Sequence, residues 1–199
     1  MKKNLKTEKT KRKILDAAVE EFGIYGYDGA TVNQICQKHG ISKGLIYHNF
    51  ENKDALYLAC VEEAVNAFIA FMGDKNFTWD FSFYMQERYC FFEKNPCYSR
   101  LIFDFLLTDD KTFAEKIKSV KDKYDDFNRS IYLSAIDSIK LRKGVTREDA
   151  LNYYTLLQNM LNSYLSTGKA GSENIIENHE KALEVILDFV LYGIAQEDK

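Results

Sequence analysis

"ISKGLIYHNFENKDAL", Ile41–Leu56, reads as a short helix that opens Ser-Lys-Gly, then stops and restarts behind Asn52. A glycine inside a helix costs about 1 kcal/mol relative to alanine, so a helix meant only for packing gains nothing from Gly44. At about 100° per residue, Ile46 and Phe50 lie about 40° apart and anchor one face inward. Gly44 and His48 fall on the opposite face, with Leu45 and Tyr47 on its flanks. Lys43 stands in the first turn on a stem long enough to reach outward. Ser42 is placed to cap this helix, and Asn52 to cap the next.

Upstream, "TVNQICQKHG" (31–40) starts with Thr31 and carries Gln34 three positions on, the pattern of a capping box. Val32, Ile35 and Cys36 point inward and Gly40 ends the helix. Before it, "KTKRKILDAAVEEFGIYG" (9–26) sets Ile14, Ala18 and Phe22 at every fourth position, with Leu15 and Val19 alongside. That is one wide apolar stripe, with Gly26 placed to stop the helix. Two short helices joined by a tight glycine-containing turn are the helix-turn-helix pattern.

Such a second helix enters the major groove by its N-terminal residues. Gly44 then lets the backbone come close to the duplex. Lys43 can meet a guanine edge or a phosphate, His48 can donate to either, and Leu45 can touch a thymine methyl. The Tyr47 hydroxyl suits a phosphate oxygen, and Lys53 at a helix N-terminus adds charge where a phosphate is already favoured.

The segment from about Lys11 to Leu56 resembles the DNA-binding domain of the tetracycline-repressor (TetR) family. The resemblance rests on "ILDAAVEEFGIYGYDGATVNQIC" and "HGISKGLIYHNFENKDAL", with Gly-Ile-Ser-Lys-Gly, the Tyr-x-x-Phe pair and Asn-Lys-x-x-Leu in register. It implies that Thr31, Ser42, Lys43, Gly44, Tyr47, His48 and Lys53 face DNA. Leu45 departs from the pattern, standing where a small or hydroxylated residue is frequent, which leaves an apolar contact there. The resemblance further implies a ligand-responsive regulator, a homodimer binding a near-palindromic double-stranded operator and released by a small apolar or aromatic effector.

The chain has 199 residues, 46% hydrophobic and 29% charged, so it is expected to fold. It holds one proline, Pro96, and shows no alternating strand runs. Together these predict an all-α protein, divided into a helix-turn-helix domain at 1–52 and a helical effector-binding and dimerisation domain at 53–199. No apolar run reads as a membrane span and the N-terminus does not read as a signal peptide, so a cytoplasmic protein with no membrane partner is expected. Net charge is −3 overall, yet seven of the first 13 residues are basic against one acid, as for a polyanion-binding front end.

Cys36, Cys60, Cys90 and Cys97 show no CxxC spacing and no matching histidine, so no metal site and no cofactor is expected. They read as reduced, buried thiols, with a Cys90–Cys97 redox pair as the alternative. No nucleophile–base pair or phosphate-cradling glycine loop can be assembled, which argues against an enzyme.

Thirteen aromatic residues fall between Phe68 and Phe105. They read either as a ring-packed core or as the wall of a ligand cavity, for which Phe68, Phe71, Trp79, Tyr89, Phe92, Phe103 and Tyr124 are candidates. Arg88 and Asp104 are candidate polar contacts near them. "TDDKTFAEKIKSVKDKYDDF" predicts a charged amphipathic helix, Arg142-Lys143-Gly144 a helix end, Thr146 a cap, and "GKAGSEN" a loop. From Ala182 to Ala195 the only charged residues are Glu184 and Asp188. A helix apolar on more than one stripe is buried on more than one side. Leu157, Leu161 and Tyr164, with Val185, Ile186, Phe189 and Val190, are therefore expected to form an isologous four-helix dimer interface.

Overall fold

The computed structural model describes residues 2–75, 81–108, 111–166 and 174–194. Among these lie nine helices and no strand: α1 (Lys2–Gly29), α2 (Val32–His39), α3 (Lys43–Asn49), α4 (Lys53–Gly73), α5 (Phe81–Lys94), α6 (Pro96–Leu106), α7 (Lys111–Ser138), α8 (Arg147–Ser166) and α9 (Ile175–Ile194). The protein is all-α. Trp79 and most of the "GKAGSEN" segment lie outside the described residues.

α1 leaves helical geometry at Gly26 (φ 70°, ψ −179°), where the sequence predicts a stop, yet the helix resumes to Gly29. The Ala30 amide bonds back to the Gly26 carbonyl at 3.2 Å, which carries the chain across the kink. α1 packs not only on α2 but along α4 and α6, so the segments 1–52 and 53–199 share one apolar cluster. Its crossing with α6 is close. A Cβ built on Gly23 would stand 2.4 Å from the Cβ of Cys97, a space no side chain can share.

α4 is the central helix, packed against α1, α5, α6 and α7. Leu56, Cys60, Ala64, Val65 and Phe68 are fully buried on it, and each large apolar side chain among them stabilises the fold by about 1.5–3 kcal/mol. Ala67 and Phe71 on the same helix are only partly buried. One sequence expectation needs correction here: α4 is long and apolar enough to cross a membrane, with a mean hydropathy of 1.5. Contacts with four helices explain why it is apolar nearly all round.

The rings of the middle segment chiefly pack against one another. Phe68 lies 5.3 Å from Phe91, 5.5 Å from Phe92 and 5.4 Å from Tyr124, centroid to centroid, and Phe92 lies 5.2 Å from Phe103. Inside them sits a buried polar network. Arg88 of α5 donates from Nε to Glu180 Oε2 at 2.6 Å and from Nη2 to Glu180 Oε1 at 3.0 Å, a bidentate pair across to α9. It also donates to Asn128 Oδ1 at 3.2 Å and the Tyr124 hydroxyl at 3.0 Å, both on α7. His179 joins Glu180 and Asn162 at 3.0 Å each, tying in α8. Burial, the largest single influence, would raise the Glu180 pKa, but the charges and hydrogen bonds of Arg88 and His179 together outweigh it and hold the carboxyl below the usual carboxylate range. This network fastens α5, α7, α8 and α9 at one point.

α7 ends at Ser138 rather than at Gly144, because Ile139 N–H bonds to the Ile136 carbonyl at 3.2 Å and tightens the last turn. Thr146 then caps α8: its hydroxyl accepts from Asp149 N–H at 3.1 Å, and the Asp149 carboxylate accepts from Thr146 N–H at 3.0 Å. On α8 and α9 a face stands open. Tyr164, Val185 and Phe189 are 56%, 69% and 72% exposed, and Tyr153, Leu156, Met160 and Tyr192 share that exposure. Leu161 and Val190, expected on this face, instead pack inside the subunit, and Leu157 and Ile186 rest partly on the same core. The open stripe thus shares Tyr164, Val185 and Phe189 with the predicted one and otherwise runs through neighbouring positions.

Candidate nucleic-acid interface and a cavity in the body

The head is built from local bonds. The Thr31 hydroxyl accepts from Gln34 N–H at 3.2 Å, and Gln34 Oε1 accepts from Thr31 N–H at 2.8 Å, the reciprocal pair of a capping box. The Thr31 hydroxyl also donates to Gln34 at 2.7 Å, so its proton is committed to setting α2. Gly40 closes α2 in the left-handed region (φ 60°, ψ 40°), which lets Ile41 N–H reach the Cys36 carbonyl at 3.1 Å. Lys38 fixes α2 to α1 by reaching Glu20 at 2.8 Å and the buried Glu21 at 2.7 Å. Glu20, Glu21 and His39 bring potential metal-ligand atoms within 4.8 Å of one another, but the Lys38 ammonium already bridges the two carboxylates.

α3 follows the predicted orientation. Ile46 and Phe50 are 1% and 6% exposed, while Ser42, Lys43, Gly44, Leu45, Tyr47 and His48 all face solvent. The Ser42 oxygen accepts from Leu45 N–H at 3.3 Å, capping the helix. Asn49, which the sequence reading passed over, donates to the Leu45 carbonyl at 2.8 Å and helps close the C-terminal end. Lys43 Nζ lies 6.0 Å from the Tyr47 ring centroid, so cation and hydroxyl occupy the same side. A Cβ at Gly44 would meet nothing within 4 Å. Packing within the subunit therefore does not demand this glycine.

α4 begins beside this face. Asn52 Oδ1 accepts from Ala55 N–H at 2.8 Å, and Lys53 Nζ lies 4.2 Å over the Tyr27 ring, a cation–π contact that orients it. The Tyr27 hydroxyl donates to the Asp54 carboxylate, which Lys116 of α7 holds from the other side at 2.5 Å. Lys116, then Tyr27, lower the Asp54 pKa. The bond to Asp54, then burial, push the Tyr27 hydroxyl up to about 12, so it keeps its proton. No spacing signals this linkage, since Asp54 and Lys116 stand 62 positions apart.

The body holds a narrow cavity of about 70 Å³ between α5, α7, α8 and α9. Tyr84, Asn128, Tyr132, Tyr154, Leu187 and Tyr192 are among the residues lining it. None of the expected ligand-contacting residues among those described does. Phe68, Phe92, Phe103 and Tyr124 are buried in the ring cluster, Phe71 packs beside Phe91 at 5.4 Å, and Tyr89 faces solvent. The aromatic-rich segment is mostly core, and the cavity draws on α7, α8 and α9 instead.

Residues 14–60 match the family described as bacterial regulatory proteins, tetR family. The HTH-type transcriptional repressor Rv1474c of Mycobacterium tuberculosis is 49% identical over 53 residues, which are 27% of this chain and 28% of that protein. The biofilm operon icaADBC HTH-type negative transcriptional regulator IcaR of Staphylococcus epidermidis is 36% identical over 90 residues, 40% of this chain and 49% of that one. The chain thus spans less than half the length of these curated relatives. A solved structure of the transcriptional regulator FadR from Bacillus subtilis, in complex with stearoyl-CoA, superposes with a TM-score of 0.64 over 92% of this chain and 98% of that chain, at 18% identity. A transcriptional regulator from Rhodococcus superposes with a TM-score of 0.66 over 94% of this chain and 99% of that chain, at 16% identity. Residues 14–60 thus carry the helix-turn-helix of the bacterial regulatory proteins of the tetR family, and the described helices share the all-helical fold of these solved regulators.

Proposed function

We propose that the protein is a homodimeric transcription regulator of the bacterial cytoplasm that represses by binding a near-palindromic operator and lets go when a small effector binds. The observation that carries this reading is α3: two buried anchors, Ile46 and Phe50, hold a solvent face of Lys43, Gly44, Tyr47 and His48 with an open backbone at Gly44. The phosphate-side contacts are Ser42, Tyr47 and Lys53, and the base-side contacts Lys43, Leu45 and His48. Two copies of α3 must stand roughly 34–36 Å apart to enter successive major grooves. The exposed α8–α9 face, running Tyr153, Leu156, Met160 and Tyr164 on one helix and Val185, Phe189 and Tyr192 on the other, supports the isologous contact that sets this spacing. The repressor names of the relatives support repression. The cavity between α5, α7, α8 and α9 is the effector site on this reading, and the stearoyl-CoA complex of the FadR neighbour supports a regulator of this fold that takes a ligand.

Selection of operators from random duplex, followed by fluorescence anisotropy across a salt series, tests the assignment. Wild type should show a steep fall of affinity with salt, and Lys53→Ala should reduce the logarithmic slope by about 1 while weakening all sequences alike. Absence of any salt-dependent duplex binding would exclude a DNA-binding role.

A further inference from the structure

The chemistry lining the cavity narrows the effector class. This deepens the reading of the cavity as effector site and rests on it. We propose that the cavity takes an uncharged, slender amphiphile, whose hydroxyl or carbonyl head is bonded by Tyr154 and Gln158 and whose apolar body lies against Ile131, Leu183, Leu187 and Leu191.

None of the 13 described residues that line the cavity carries a charge. A carboxylate, phosphate or ammonium placed there would lose its water and find no counter-ion. Arg88 stands behind Asn128 in the wall, but its guanidinium is engaged by Glu180, Asn128 and Tyr124. An anion drawing Arg88 into the cavity would strand Glu180, which is 3% exposed, so the network rejects anions rather than recruiting them.

The polar groups available to a neutral head are specific. Tyr154 and Gln158 both line the cavity and stand four residues apart on α8, hence on one face. Neither the Tyr154 hydroxyl nor the Gln158 amide is bonded to another of the described residues, although Tyr154 is only 7% exposed. Tyr132 stacks on Tyr154 at 4.1 Å between centroids, 15° from parallel, and fixes its ring. Burial holds the Tyr154 proton in place, so the group offers one donor and one acceptor. Gln158 offers both as well. A hydroxyl or carbonyl matches this pair, whereas a permanent charge exceeds it. The volume of about 70 Å³ compares with roughly 10–15 Å³ for one water, room for an alkyl chain or a single ring rather than a fused-ring body. Tyr192 lines the rim while 68% exposed, alongside Phe189 on the open α8–α9 face.

Matched eight-carbon probes at pH 7, namely 1-octanol, octanoate and octylammonium, test the proposal on the full-length protein. Thermal unfolding is followed with each probe, and duplex affinity is measured in parallel. 1-Octanol should raise the melting temperature in a saturable way, and the two ions at equal concentration should not. Tyr154→Phe and Gln158→Leu should each demand about five- to tenfold more octanol for the same shift. Ala135 lines the cavity, and Ala135→Trp should fill it and abolish the shift; a wild-type circular dichroism spectrum and cooperative thermal unfolding show that this variant folds. A larger shift with either ion, no shift with octanol, or a shift that persists in Ala135→Trp and Tyr154→Phe would overturn the proposal. If octanol binds as described yet duplex affinity stays constant, the cavity chemistry stands and its role as effector site falls.

Discussion

Gly44→Ala separates what the subunit needs from what a bound duplex needs. A methyl at this position meets nothing within 4 Å and the backbone is not in the left-handed region. The substitution should therefore stabilise the free protein, by about 0.4–1 kcal/mol through the unfolded chain. For a chain of this size that is a rise of about 1–4 °C in melting temperature. Duplex binding should move the opposite way. If the first turn of α3 rests against a groove wall, the added methyl pushes the helix back by more than a hydrogen bond tolerates and sacrifices about one base contact. Such a contact is worth about 1–3 kcal/mol, so the dissociation constant rises about 5- to 150-fold. Gly73→Ala, where a Cβ also meets nothing, serves as the control at the far end of α4. Calorimetry and anisotropy on both variants decide the matter. A Gly44→Ala protein that is more stable and binds its operator as tightly as wild type would refute the close approach; a less stable one would refute the open-space reading.

Lys116→Ala touches no proposed DNA contact, yet it should weaken operator binding a few-fold by leaving the Asp54 charge unanswered beside Lys53. Asp54→Asn in the same background should restore affinity, since exposed pairs of this kind carry about 0–1 kcal/mol each. Glu180 has a folded-state pKa below its ordinary value, so its stabilising contribution is complete above the ordinary carboxylate range and is lost as pH falls through the folded-state value. Urea titrations from neutral pH into acid should show this decline, and Glu180→Gln should flatten it while lowering stability at neutral pH by roughly 3–5 kcal/mol through the stranded Arg88. Phe189→Asp should give folded monomers in sedimentation, whereas Val190→Asp, one position round the helix and 3% exposed, should fail to fold.

What could be read in the sequence was what is local. Thr31, Ser42 and Asn52 cap helices through bonds spanning three residues, and the inward pair Ile46 and Phe50 follows from helical periodicity alone. The α9 face was only half placed, Val185 and Phe189 lying in the open and Ile186 and Val190 turned inward, for a physical reason: with Leu183, Leu187 and Val190 on one side and Val185, Phe189 and Tyr192 on the other, periodicity states that two sides are covered but not which side the parent subunit takes. Only the packing of α9 on α8 and α5 decides it. The ring-rich stretch misled in a similar way, because Phe68, Phe92 and Phe103 satisfy one another and leave the cavity to Tyr132, Tyr154 and Leu187, which are scattered over three helices. Partners such as Arg88 and Glu180, 92 positions apart, carry no sequence signal at all.

The crossing of α1 and α6 at Gly23 and Cys97 constrains how the head can move relative to the body. Cys97 sits against Gly23, so a side chain there, such as Phe22 and Ile24 carry on either side, would hold the two helices apart. With no room between them at this point, a tilt of α6 is passed to α1, and through it to the reading head.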